Sequence, residues 1–490
     1  MVILAIACTP PPSPVEAIHF VRGGIIRGGV VENRAWTPGE AVYGVTAPST
    51  PECVPLFHVE LEDMRRLAAM NAPSPGAALA FSPDGRWLAI GSDGGSLRIV
   101  DATTGKERVT TAIAEGAVKQ VAWSADGATL YMGEQSPDAT IAALDSTTLS
   151  PRWQVHLASE LEASALPPAD DVLGLYSLPA VFGLSVLDDG SLLVTGAHGW
   201  PQPDGTRKNR SRLYRIAADG ARMGAWPAAG PADGIMLHPA VSGRRAAVMM
   251  SRSATGPAPA DLPIGGLVVI DLDTMLPRWQ TRFPILTPYF TEVFAWDAIA
   301  TEPGTTLAGM GDGRVFLYDD DGIALATLTP GVPVLSQGVP IAAGVGFGTL
   351  RGGVAYFATT ETNIPFGSAD PAMRPPSAHP AQFTLHAVDR AGAPRWSRPL
   401  DHHPAGVAMS PDGTTLLVGA GSRMTDTRTD LFGAVLLDAS SGSPVTACST
   451  EGPAHFRPVW APDGREIAVA EAPFTVEDAV HGSFRVTVFR

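Results

Sequence analysis

Four cations are packed into Arg207-Lys208-Asn209-Arg210-Ser211-Arg212, in a chain whose formal net charge is −15. Guanidinium and ammonium groups at this density hold phosphate or carboxylate, Arg through paired N–H···O bonds. The same run also reads as a solvated loop. His198 and Trp200 precede it, and His379 and Arg428 fall in other insertions of the chain. With Arg207, Lys208, Arg210 and Arg212 they make up the candidate ligand-binding set.

Other chemistry is weaker. Asp319-Asp320-Asp321-Gly322 lacks the alternating spacing of a calcium loop and reads as a turn. Asp401-His402-His403 suggests metal, but adjacent histidines on an extended chain point apart. The glycines 344, 346 and 348 have no helix after them, so they form no nucleotide loop. Gly-x-Ser-x-Gly, His-Glu-x-x-His and Walker patterns are missing from the sequence. No catalytic residue, metal ligand or cofactor is therefore assigned. The acidic balance argues against a nucleic-acid partner. No run of about 18 apolar residues occurs, so a membrane would be reached only through a lipid anchor.

These residues must be positioned by short strands. Residues 78–112 alternate apolar runs with tight turns: Pro83-Asp84-Gly85, then 91–96, then Thr103-Thr104-Gly105. Four antiparallel strands in so short a stretch cannot bury both faces alone and must stack on copies. Copies begin near residues 118, 180, 234, 294, 340, 405 and 456. Their period is about 41 residues at its shortest, as in a four-stranded propeller blade. The final copy has three strands before the chain ends, and residues 54–61 are the candidate to supply the fourth. Apolar residues are 45% and charged residues 17% of the chain, which fits short buried strands and rejects disorder. The fold expected is all-β: an eight-bladed β-propeller of four-stranded antiparallel blades, with seven blades as the alternative.

The stretch FSPDGRWLAIGSDGGSLRIVDATTGK resembles WD40 and YVTN-type propeller repeats. ALDSTTLSPRWQ, VIDLDTMLPRWQ and AVDRAGAPRWS resemble PQQ-like repeats, with Trp153, Trp279 and Trp396 as docking residues. The likeness implies fold, not function, since such propellers include enzymes and pure scaffolds. PQQ-dependent dehydrogenases carry vicinal cysteines; this chain has none adjacent, so that site is not carried over. Asp101, Asp145, Asp271, Asp389 and Asp438 recur at one repeat position and are read as turn caps.

The start, MVILAIACTPPPSP, resembles the end of a bacterial lipoprotein signal, with Ala5-Ile6-Ala7-Cys8 as lipobox and Cys8 as the lipidated residue. It lacks a basic n-region and its apolar run is short, which a start upstream of Met1 would explain. Residues 1–14 are then a signal-like tether, 15–53 an N-terminal extension and 54–490 one propeller domain. Cys53 and Cys448 remain as a disulfide pair for an oxidising compartment, or as two buried thiols. A bridge would reinforce ring closure, because Cys448 ends the seventh unit and Cys53 precedes the closing strand.

Insertions fall at 198–211, 251–264, 361–382, 422–431 and 472–482, all between strands two and three of their units. Long links between units at 158–178, 283–293 and 329–338 open on the same face. The opposite face keeps short turns. Decoration of one face marks it as functional. The expectation is a monomeric, non-catalytic scaffold, exported to the periplasm, outer membrane or cell surface, whose loop face holds a protein, peptide or glycan. The alternative is a propeller enzyme, a PQQ-like oxidoreductase or hydrolase, with its site at the channel mouth.

Overall fold

In the computed structural model the chain is described over residues 18–21, 24–27, 52–61, 78–113, 115–162, 178–201, 207–236, 238–251, 266–283, 286, 298–336, 339–363, 379–400, 402–421, 432–454, 457–476 and 479–490. The regular structure of these residues is almost wholly strand, joined by tight turns, with one short 3-10 helix among them, Ala158–Leu161. Cys8 and Arg428 lie outside them, as do residues 1–14.

The first repeat forms the strands Leu79–Phe81, Trp87–Gly91, Ser96–Asp101 and Glu107–Ala112, paired antiparallel in that order. Its first turn is closed locally. Ser82 Oγ donates to Asp84, and the Trp87 N–H donates back to Ser82 Oγ at 2.9 Å. Gly85 sits at φ +71°, where a side chain would be strained. Ser124 with Asp126 and Ser410 with Asp412 repeat the pattern. At the second turn Asp101 Oδ1 accepts the N–H groups of Thr103 and Thr104. Asp145, Asp271, Asp389 and Asp438 do the same work in their turns. Asp319 joins them, so the three-aspartate stretch is a turn.

Sheets of this kind follow one another along the chain and pack face to face. Ile99 of the first unit packs with Val118 and Leu130 of the second. Later clusters straddle each next pair, and the last returns to the start: Phe81, Leu88 and Ile90 pack with Ala468, Val486 and Val488. Each fully buried Leu or Ile contributes about 1.5–3 kcal/mol of apolar burial. Tryptophans pin the rims. The Nε1–H groups of Trp153, Trp279 and Trp396 donate to the carbonyls of Ala218, Asp320 and Ala439 in the next unit, at 2.8, 3.1 and 3.0 Å. Gly220, Gly322 and Gly442 lie against those rings. A Cβ at the three positions would come within 2.9, 2.7 and 2.6 Å of the indole carbons.

The chain ends meet in one sheet. Pro55–Glu60 pairs with Arg485–Phe489, which pairs with Ile467–Glu471, which pairs with Val459–Trp460. Cys53 and Cys448 are joined, with Cα atoms 4.8 Å apart. The Cys53 N–H donates to the Ala447 carbonyl at 2.6 Å. Phe57 lies against Gly105 of the first unit, as the tryptophans lie against their glycines.

Two of the segments that differ from the sequence expectation border the loop face. The insertion at 198–211 is not simply a loop: Leu192–Pro201 and Arg207–Ile216 continue their ladder up to the pair Pro201 and Arg207. The reason is period two. Lys208, Arg210 and Arg212 alternate with Asn209, Ser211 and Leu213, which suits a ribbon with two different faces. Within the link at 329–338, Val334–Ser336 folds back on the start of Val339–Arg351.

Candidate functional site

The loop face is where strands two and three meet and where successive units are linked. The ribbon of the third unit rises there, and the 3-10 turn after the second unit clasps it. His198 is buried, and its Nδ1 donates to the Leu161 carbonyl at 3.0 Å. Trp200 stacks on His198 at 4.3 Å between ring centroids. Lys208 Nζ lies 5.3 Å from the Trp200 ring centroid, within cation–π range. Glu162 accepts from Lys208 at 2.7 Å and from Arg210 at 2.9 Å. Arg210 also pairs with Asp233 at 2.9 Å. Glu160 takes Arg212 at 3.0 Å and Arg222 beside it. Arg212 completes its fork on the carbonyls of Pro227 and Ala228. The Arg210 and Lys208 cations hold the Glu162 carboxyl below its usual range.

The structure thus brings His198, Trp200, Lys208, Arg210 and Arg212 into one cluster, together with carboxylates of the same chain. An anion arriving here competes with Glu160, Glu162 and Asp233. Arg207 pairs with Pro201 at the ribbon tip. His379 stands apart from this cluster. Its Nε2 donates to the Val332 carbonyl at 2.9 Å and its Nδ1 accepts the Ala381 N–H at 3.0 Å. Burial lowers its pKa, with the Val332 bond opposing, and both ring nitrogens are satisfied in the neutral form.

Three further polar groups are buried on this face. Glu471 accepts Arg485 Nε at 2.7 Å, Thr487 Oγ1 at 2.8 Å and the N–H groups of Glu451 and Gly452 at 3.0 and 2.8 Å. Asp312 holds Arg314 at 2.6 Å, both buried. Glu134 accepts Ser136 Oγ at 2.8 Å, and burial pushes its carboxyl pKa up. Glu134 and Glu471 show in the sequence only as charges at the ends of otherwise apolar strands, and Glu160 and Glu162, in the 3-10 turn and at its cap, share no repeat position. His402 and His403 are buried. Among the described residues no group of three or more His, Cys, Asp or Glu is placed to hold a metal ion.

The profile of one family, described as the anaphase-promoting complex subunit 4 WD40 domain, matches residues 70–126. No curated protein matches the chain significantly. Solved structures match along most of it. The C-terminal WD40 domain of Sif2 is similar with a TM-score of 0.53 and 10% identity, over 89% of this chain and 98% of that one. Sqt1 of Saccharomyces cerevisiae gives 0.54 and 10%, over 89% and 99%. The quinohemoprotein alcohol dehydrogenase of Comamonas testosteroni gives 0.58 and 15%, over 89% and 76%. The fold is a β-propeller with WD40-type repeats. At these identities the likeness extends to the fold alone. Propeller geometry places the first strand of each unit along a central channel. The loop face described above is therefore the rim of that channel.

Proposed function

We propose that this propeller is a non-catalytic, exported scaffold that holds a protein, peptide or glycan on its loop face. The observation that carries the reading is the asymmetry of the two faces. The insertions of the sequence fall between strands two and three, while the opposite face keeps turns of near-constant length, five of the first turns closed by their own aspartates. The Cys53–Cys448 bridge supports an oxidising compartment. Lipid on Cys8 would then anchor the chain to a membrane. We read the ring as eight blades, because the apolar clusters run pair by pair from the first sheet to the last and back.

Site-specific photocrosslinking in the producing cell tests this. A photoreactive residue replaces Asp204, inside the ribbon insertion, or Thr103, an exposed turn residue on the other face. A discrete adduct from position 204 and none from 103 is expected. Equal adducts from both positions, or none from either, would overturn the reading. Fatty-acid labelling lost in Cys8→Ala checks the anchor separately.

A further inference from the structure

The first strands carry an irregularity at one level of the channel. In the second unit Val118 pairs with Glu134 and Gln120 with Gly133, leaving Lys119 as an extra residue. In the third, Val181 pairs with Gly196 and Gly183 with Thr195, leaving Phe182. Bulges recur in the sixth unit at Gly346 and in the seventh at Ala405 and Gly406. A bulge re-aims a side chain out of the alternation of its strand, and the inner strand is the one that borders the channel. At this level Lys119 stands beside Phe182, and the bulged residues of the sixth and seventh units are glycine and alanine.

Lys119 is one of three lysines among 34 basic residues, the others being Lys106 and Lys208. Its Nζ lies 5.6 Å from the Phe182 ring centroid. Gln120 Nε2 donates to the Phe182 carbonyl at 3.2 Å, which fixes the two bulges against each other. The side chain is crowded but keeps partial exposure. Among the described residues no hydrogen-bond acceptor reaches the amine; Asp93 acts on it through space. Lys208, by contrast, is held by Glu162. We propose that Lys119 is a carbonyl-binding amine in the central channel, which condenses with a small uncharged aldehyde. An anionic aldehyde is disfavoured by Asp93, and Phe182 offers a flat apolar flank.

The step balances without a co-reactant. The Nζ lone pair adds to the carbonyl carbon. The carbinolamine then loses water, which carries off the carbonyl oxygen and two hydrogens, and a C=N bond to Nζ remains. Burial lowers the Lys119 pKa to about 7, with Asp93 opposing. About half of the amine is then unprotonated at pH 7, against about one part in three thousand for an ordinary lysine.

The test uses the full chain with benzaldehyde and sodium cyanoborohydride, which traps the imine as a secondary amine for peptide mass mapping. At pH 7 Lys119 is expected to label more than about tenfold faster than Lys106 or Lys208, with a half-maximal rate near pH 7. Phe182→Ala should slow Lys119 several-fold while leaving Lys106 unchanged. In concentrated urea the preference should vanish. Equal labelling of the three lysines in the folded protein, or a Lys119 rate that rises only in strongly alkaline buffer, would overturn the proposal.

Discussion

On the turn face, Asp84, Asp126 and Asp412 each take their hydrogen bonds from residues within two positions in the chain. On the loop face, Glu162 reaches Lys208 and Arg210 across 46 and 48 residues, and Glu160 reaches Arg212 across 52. The strands joining the two faces are the same. At one end, the first turn of five units is satisfied by its own aspartate, so that motif repeats at low cost; in the fifth and sixth units Asp320 and Glu302 reach the turn from farther along the chain. The other end is satisfied by partners brought in by the fold, so each unit solves the problem differently. Where closure is local the turn face is chemically uniform; it is not where Arg215 reaches the Leu272 carbonyl and Arg245 reaches Asp320, across 57 and 75 residues. Long-range closure leaves the loop face varied, and it also makes single residues there more costly to lose.

The largest effect is expected at Glu471. Its side chain has no exposure, and it neutralises Arg485 while accepting three other donors. Glu471→Ala should cost about 3 kcal/mol, because the half-buried Arg485 keeps only the exposed Glu451 and Glu60, at 3.5 and 4.0 Å, and the Thr487 hydroxyl and two N–H groups lose their acceptor. Asp438→Ala removes a turn cap from the opposite face and should cost about 1 kcal/mol or less, since water replaces the acceptor. Urea midpoints followed by far-UV circular dichroism compare the two. Equal costs would break the contrast between the faces.

A smaller effect should separate turn strain from docking. Gly442 has φ +65° and lies under Trp396; Gly352 has φ +61° with open space around it. Alanine at either position pays the left-handed penalty of about 1–2 kcal/mol. Only Gly442→Ala also displaces the indole from its seat on the next unit. It should therefore melt lower than Gly352→Ala and shift the tryptophan emission to the red. Identical melting and emission would show that the ring contact adds nothing to the turn.

The turn face was legible in the sequence, and the physical reason is that its bonds are local. Asp101 and its counterparts sit two to four residues from what they bind, so the repeat itself displays their role. Ser82, which completes the first turn, belongs to the same local pattern. Trp153, Trp279 and Trp396 were legible as docking residues because they recur in register. The loop face was not legible in this way. The basic run read as an anion site because its partners, Glu160 and Glu162, belong to another unit and share no periodicity with it. Lys119 was hidden inside an ordinary strand pattern, since a bulge changes register without changing composition. The Cys53–Cys448 pairing was readable from topology, because two ends that close one ring must meet.

The smallest effect concerns a group whose burial opposes its charge. Glu134 sits on the loop face, held by Ser136 Oγ at 2.8 Å, and desolvation raises its pKa above the ordinary value of 4.5. Ser136, Thr140 and His156 favour its charged form, and Asp138 disfavours it, but burial is the dominant cause. A carboxyl whose folded pKa exceeds its unfolded pKa costs stability once both states are ionised. That cost is full above the folded pKa, fades as the pH falls toward 4.5, and is gone below it. Glu134→Gln keeps an acceptor for Ser136 and removes the charge. The variant should melt slightly higher than the parent at neutral pH, and the two curves should converge on acidification. No such residue lies among the exposed turn aspartates, whose pKa values are lowered instead. There the sign reverses: Asp84→Asn should melt lower than the parent at neutral pH, and that gap should close as the pH falls through the lowered pKa. Melting curves of both variants across the acid range read the two signs in one experiment, and matching signs would remove the distinction between the faces.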